Sequence, residues 1–410
     1  MKAAIPIAPR NILIVKPSSL SDIVHGLPFL NVLRKRFPKA EIHWVVAKGF
    51  EGLLEGHPMI EKLWVINKDT WKKVGNAKQT LSELNTLFRD LRREKYDLVV
   101  DLQGLLRSGV ITAATRATVR IGFKEAREGS RLFYTHKVEG GRNIHAVNRY
   151  LKIADFLGCD ISEVVFPFAD YNAELGRIPS HLSFPQAKRV GTPSDSPLEK
   201  GEKGVVSESR IDPASSRPDS GFRTSRDDRL TTKAFCVGND SVNSSSPFTL
   251  HPLSAEDYAV IVPGARWKTK IWPSEKFGEL AALLPIKSVI VGSKSDVSMA
   301  DEIVSLSKGK AVSLAGKTSL KDLIEVMRGS RLVVTNDSGP MHIAAAVGVP
   351  VFAIFGPTDP LRTGPYGKGH MIIRTDVSCA PCFKKKCDDI RCMKDLSMEK
   401  VLGAIRRGNS

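Results

Sequence analysis

The sequence predicts an α/β protein built from two parallel-sheet domains. Three observations carry that expectation. Short apolar, β-branched runs recur along the chain, helical periodicities separate them, and one long polar stretch interrupts the alternation. Strands that alternate with helices imply right-handed βαβ units and hence a parallel sheet.

The elements follow in order. "NILIVK" (11–16) and "EIHWVV" (41–46) read as buried strands because apolar, β-branched residues run through them without a polar face. Between them Ile23, Val24, Leu27, Leu30 and Leu33 recur at helical spacing. "EKLWVI" (61–66) and "YDLVVDL" (96–102) continue the strands, with Leu81, Leu84, Leu87, Phe88 and Leu91 forming a helical pattern between them. "NIHAVNRYLKIADFLG" (143–158) reads as an amphipathic helix. From about 185 to 252 the pattern collapses into Ser, Pro, Gly, Asp and Arg. Such a composition buries too little apolar surface to offset chain entropy, which predicts a disordered insertion at an interdomain junction. The alternation then resumes. "YAVIVPGA" (258–265), "KSVIVG" (287–292), "RLVVTND" (331–337) and "PVFAIFG" (350–356) read as strands. "SEKFGELAALL" (274–284) reads as a helix with Ser274 as N-cap, and "SLKDLIEVM" (319–327) as one opened by Ser319. The expected organisation is therefore a domain over 1–180, the insertion over 185–252, and a second domain over 256–400 that ends in a Cys-rich segment and a helix.

The 410 residues carry a net charge of +17. The insertion does not supply it: 188–240 holds ten Lys/Arg against nine Asp/Glu, leaving +16 on the rest. A surface this basic favours a polyanionic partner, whether nucleic acid, an anionic membrane or a phosphorylated substrate. Nucleic acid is the weakest of these, because aromatics are only 7% and no basic strand interleaved with aromatics appears. No apolar run approaches the roughly 20 residues that span a bilayer, and the N-terminus lacks a signal-peptide core, so the expected location is cytoplasmic, soluble or peripherally bound.

Three stretches carry candidate chemistry. In "VVTNDSGPMHIAAAVG" a strand stops at Asp337, and Ser338-Gly339-Pro340 opens a helix whose free N–H groups and dipole favour a phosphate. His342 lies in the first turn of that helix. "PGARWKTKIWP" places Arg266, Lys268 and Lys270 on a strand-to-helix loop, where cations neutralise a diphosphate leaving group. Near the start, Asp22 follows a strand and precedes a helix, the position of an N-cap. The helix dipole there lowers its pKa, so Asp22 is expected to be ionised and able to take a proton. A base on one wall of a cleft and a phosphate seat on the other suit displacement at a sugar anomeric carbon.

These stretches, together with "KPSSLSDIVHGLP", "DLQGLLRS", "AREGSRLFY" and "NDSGPMHIAAAVGVPVFAIFGPTDP", resemble the bacterial lipopolysaccharide heptosyltransferases, glycosyltransferase family 9. The resemblance covers everything but the insertion. It implies a GT-B fold, two facing Rossmann-like domains with an interdomain cleft, binding the acceptor on the first and the donor on the second. It implies metal-independent, inverting transfer of heptose from ADP-heptose to Kdo-lipid A at an anionic inner-membrane surface, with no cofactor and no nucleic acid. Asp22 matches the family's proposed base and Lys16 the lysine near the acceptor. Lys270, Asp337, Ser338, Gly339 and His342 match the donor-binding residues. "AREGSRLFY" is similar to the acceptor segment of heptosyltransferase I, which assigns Arg127 and Arg131 to anionic groups of the acceptor. A later core position, another nucleotide sugar and the oligomeric state, a monomer included, stay open. One residue departs from the pattern: Ser21 stands where the family usually has Gly, and a left-handed backbone there would strain it by about 1 kcal/mol. The spacing C-x2-C-x4-C-x4-C of Cys379, Cys382, Cys387 and Cys392 predicts a structural metal knuckle or a disulfide-capable staple rather than catalysis. Lys384, Lys385 and Lys386 lie within it, a run suited to anionic headgroups.

Overall fold

The computed structural model describes residues 8–67, 77–141, 143–169 and 257–408; the expected insertion over 185–252 lies outside them. The first lobe runs β1 (Asn11–Val15), α1 (Leu20–Arg36), β2 (Glu41–Ala47), β3 (Lys62–Ile66), α2 (Ala77–Arg93), β4 (Leu98–Asp101), α3 (Leu106–Ala114), β5 (Val119–Phe123), β6 (His136–Val138) and α4 (Ala146–Phe156). The second runs β7 (Tyr258–Val262), α5 (Ser274–Leu283), β8 (Lys287–Ile290), α6 (Val297–Leu306), β9 (Ala311–Ser313), α7 (Leu320–Arg328), β10 (Leu332–Asn336), α8 (Gly339–Ala346), β11 (Val351–Phe355), α9 (Pro360–Thr363), β12 (Met371–Arg374), α10 (Arg391–Lys394) and α11 (Met398–Gly408).

Each lobe holds one six-stranded parallel sheet. The orders are β3-β2-β1-β4-β5-β6 and β12-β11-β10-β7-β8-β9. Both orders reverse beside their first strand, the doubly wound pattern in which ligands bind past the C-terminal ends of the strands at the reversal. In the first sheet that point lies between β1 and β4, so it is flanked by Lys16 and Asp101. In the second it lies between β7 and β10, flanked by Pro263-Gly264 and Asn336-Asp337.

The central strands are apolar because helices cover both faces. β7, β10 and β11 are buried at every position. The strands β5, β6, β9 and β12 went unread in the sequence. Each has only three to five residues, and edge strands such as β6, β9 and β12 are too short for a periodicity to show. One helix start here also differs from expectation. The N-cap of α5 is Pro273, and Ser274 is the first helical residue, its hydroxyl bonded to Glu302. By contrast Ser319 caps α7 as expected: its Oγ accepts the Asp322 N–H, and the Asp322 carboxylate accepts the Ser319 N–H.

A packing constraint lies under the first reversal point. Tyr134 donates its hydroxyl to the buried carboxylate of Asp101 at 2.6 Å, and its ring covers Gly122 on β5. A Cβ on Gly122 would stand 2.2 Å from that ring. Gly122→Ala is therefore expected to destabilise the protein by about 1–3 kcal/mol, read as a lower urea midpoint, because a ring held at both ends cannot swing aside. No helix among the described residues is long and apolar enough to cross a membrane.

Candidate active site

The residues expected on the acceptor side assemble at the end of β1. Lys16 leaves the strand, and Ser19, in an extended conformation, is the N-cap of α1. Asp22 is thus not the N-cap expected from sequence but the third helical residue. From there its Oδ2 reaches back to accept the Ser19 backbone N–H at 2.8 Å and the Ser19 hydroxyl at 2.9 Å. Its Oδ1 accepts the Tyr150 hydroxyl from α4 at 3.2 Å and faces Lys16 Nζ at 3.5 Å. Ser21 sits inside α1 and has no left-handed φ, so the Ser in place of Gly carries no backbone strain.

These contacts set the charges. Burial alone would raise the pKa of Asp22. The Lys16 ammonium, the two hydrogen bonds from Ser19 and the one from Tyr150 outweigh burial and hold it below the ordinary carboxylate value. The side chain still keeps 35% of its surface exposed, so it is fixed but reachable. Lys16 is almost fully buried. Burial pushes its pKa down, while Asp22 and Asp101 oppose that shift. Burial and the Asp22 charge push the Tyr150 phenol well up, so it stays a hydrogen-bond donor. Tyr150 was missed in the sequence; it lies 128 residues from Asp22, and no local pattern marks it.

The residues expected on the donor side assemble at the end of β10. Asn336 ties the loops together: its Nδ2 donates to the Pro263 carbonyl at 2.6 Å and its Oδ1 accepts the Trp272 N–H at 3.2 Å. Asp337 is buried, and its Oδ2 meets Lys270 Nζ at 2.6 Å and accepts the Thr358 hydroxyl at 2.5 Å. Lys270 also lies over the Trp267 ring at 4.6 Å. Ser338 is the N-cap of α8 and makes no side-chain cap, so that end of the helix keeps free N–H groups.

Beside it lies a cavity of about 410 Å³, within the range of small-molecule sites. Gly264, Gly292, Asp296 and Gly339 line it, together with Leu20 from α1 of the first lobe. A Cβ on Gly264 or Gly292 would fall within 2.9 Å of the Asp296 side chain, so both backbones must be bare for that carboxylate to sit there. The segment "VGSKSD" (291–296), near which the family resemblance implies the adenine and ribose contacts but which matches no family pattern, lies at the cavity wall. A second cavity, between β3 and α2, lies away from all these groups.

The two lobes meet through α1 and α8, where three buried histidines converge. His25 Nε2 and His342 Nδ1 are 2.9 Å apart, and the His145 ring packs edge-on against His25. Burial lowers the pKa of all three, with mutual repulsion adding to the shift at His25 and His342, the latter to about 3. A histidine neutral in the fold but protonated near pH 6.5 when unfolded stabilises the protein fully above that pH. The contribution falls as the pH drops toward the folded pKa, by up to about 1.4 kcal/mol per pH unit for each histidine. The urea midpoint is therefore expected to fall from pH 7 to pH 5, and His342→Gln is expected to flatten that slope.

The remaining expected site residues are two arginines and four cysteines. Arg127 and Arg131 are exposed on the loop after β5, and no ion pair among the described residues holds either side chain. Cys379, Cys382, Cys387 and Cys392 are all free thiols. Cys379 and Cys387 are exposed, whereas Cys392 points into the core of the second lobe. Among the described residues no group of three or more His, Cys, Asp or Glu is arranged to hold a metal ion. The four cysteines nonetheless lie near one another: burial, and then the charges of Cys379, Cys382 and Cys387, raise the Cys392 pKa. The segment also packs by its backbone, with the Lys384 carbonyl accepting the Thr269 hydroxyl and the Phe383 N–H donating to the Pro357 carbonyl.

Comparison with known proteins gives this geometry a family. The model for glycosyltransferase family 9 (heptosyltransferase) matches residues 84–175 and 213–391. The chain is 28% identical over 406 residues to lipopolysaccharide heptosyltransferase 1 of Pseudomonas aeruginosa, covering 95% of this chain and 92% of that one. It is 26% identical over 371 residues to the Escherichia coli protein of the same name, covering 88% and 93%. Its fold matches that of E. coli heptosyltransferase WaaC with ADP-2-deoxy-2-fluoro heptose, with a TM-score of 0.66 and 22% identity over 97% of this chain and 99% of that one. At that identity the likeness establishes the fold, GT-B, and nothing finer. The family model spans well over half of the sequence, and the chain belongs to glycosyltransferase family 9, the heptosyltransferases.

Proposed function

We propose that the protein transfers heptose from ADP-heptose to the Kdo-lipid A inner core of lipopolysaccharide, by a single displacement with inversion. One observation carries this reading: a carboxylate pinned at the reversal point of one sheet is joined, through α1 and α8, to a cation and an open helix N-terminus at the reversal point of the other. His342 feels the charges of both Asp22 and Lys270.

In this reading Asp22 removes the proton of the acceptor hydroxyl as its oxygen bonds to the heptose anomeric carbon. The bond from that carbon to the β-phosphate breaks, and ADP leaves with the electron pair. Lys270 and the N-terminus of α8 stabilise the charge it gains, while Asp337 holds the lysine in place. Gly339 lets the diphosphate approach the backbone, and Ser338 and His342 offer hydrogen bonds to it. Lys16, held by Asp22 and the Leu102 carbonyl, borders the acceptor, and Arg127 and Arg131 meet its anionic groups. A relative named lipopolysaccharide heptosyltransferase 1 and a structural neighbour holding ADP-2-deoxy-2-fluoro heptose support a heptose donor and a lipopolysaccharide acceptor. The first domain thus binds the acceptor and the second the donor, at the cytoplasmic face of the inner membrane.

The deciding experiment is mass spectrometry of the product after incubation with ADP-heptose and Kdo-lipid A. One added heptose on Kdo is expected; no product, or transfer only to an already heptosylated core, overturns the acceptor assignment. Running the reaction on anionic vesicles at low and high salt tests the peripheral membrane site, and salt-insensitive binding would count against it.

A further inference from the structure

The histidine contact between the lobes has a direction. His145 fixes its own tautomer: its Nε2 meets the Gly364 carbonyl at 3.1 Å, so it donates there, and its Nδ1 accepts the Val147 N–H at 3.3 Å. His25 and His342 face each other through Nε2 and Nδ1, both rings being buried and nearly perpendicular. A neutral imidazole carries one donor and one acceptor nitrogen, so a single proton lies between them. The remaining nitrogen of His25, Nδ1, is buried and has no partner. If His342 were the donor, His25 would carry its proton on that Nδ1, a buried N–H with nothing to accept it. Orphaned N–H groups are rarer in folded proteins than under-satisfied acceptors.

We propose that His25 is a positioning residue: its Nε2–H donates to Nδ1 of His342 and so locks the proton of His342 on Nε2, arming that nitrogen as a hydrogen-bond donor for the diphosphate of the nucleotide sugar. The lock crosses from α1 to α8, so it forms only when the two lobes are together. Its use rests on the reading of His342 as a donor-side contact, whereas the tautomer itself does not.

Two measurements separate these. In histidine-labelled protein at pH 7.5, carbon and nitrogen shifts assign the His342 tautomer, with His342→Gln identifying its signals. Wild type and His25→Gln, whose amide replaces the Nε2 donor, are expected to show the proton on Nε2. His25→Phe, which keeps the ring but removes the donor, is expected to show a mixture. A proton on Nδ1 in the wild type, or an unchanged tautomer in His25→Phe, overturns the lock. In steady-state kinetics His25→Phe is expected to raise KM for ADP-heptose roughly tenfold, the worth of one lost hydrogen bond to a charged group, with His25→Gln close to wild type. The expected tautomers with an unchanged KM would overturn the donor-side reading of His342 and leave the lock standing.

Discussion

Asp22→Asn is expected to lower kcat by about 10²–10⁴, the usual contribution of a general base, while KM for ADP-heptose changes little. Asn is the informative substitution. Its amide oxygen still accepts the Ser19 N–H, so the start of α1 survives, but it takes no proton. Both substitutions remove the counter-ion of the buried Lys16 ammonium, but Asp22→Ala would in addition remove the acceptor of the Ser19 N–H and hydroxyl. Because the Asp22 pKa is held below the ordinary carboxylate value of about 3.9, the base remains ionised through the neutral range and is lost only as the pH falls below that value. An acid limb in kcat/KM near pH 6 that vanished in Asp22→Asn would contradict the lowered pKa, and a variant with near-normal turnover would overturn Asp22 as the base.

Lys270→Ala is expected to cost more than its charge. It removes the cation proposed to meet the leaving diphosphate, a loss of about 10²–10³ in kcat/KM. It also strands Asp337, which is buried and left with only the Thr358 hydroxyl, and breaking such a pair costs about 3 kcal/mol of stability. The two effects separate in the double variant Lys270→Met, Asp337→Asn. Removing both charges should restore the urea midpoint and leave activity lost. Recovery of activity along with stability would show that Lys270 serves the fold rather than the reaction.

The central strands were readable in the sequence because a parallel strand buried on both faces must be apolar throughout. "YAVIV" and "VFAIF" follow that rule without exception. The positions of Asp337, Gly339 and Lys270 beside a strand end or a strand-to-helix loop were readable because Gly and Pro nearby give strong local signals. What was not readable depends on distance along the chain. Tyr150 and Thr358 meet their carboxylates only through the folded topology, and the His25–His342 contact joins residues 317 apart. The misplaced cap at Asp22 has a local cause. A carboxylate three residues into a helix and one at its start look alike in sequence, and only the extended Ser19 distinguishes them.

Helix α1 has one further consequence. Within six residues it presents Leu20 to the wall of the cavity, Asp22 to the proposed acceptor and His25 to the other lobe. Leu20 packs so closely on Gly339 that a Cβ there would stand 2.9 Å from it. The first turns of α1 therefore join the cavity wall, the carboxylate and the interlobe contact in one continuous stretch of helix, so a substitution that displaced Leu20 is expected to be felt at Asp22 and His25 as well.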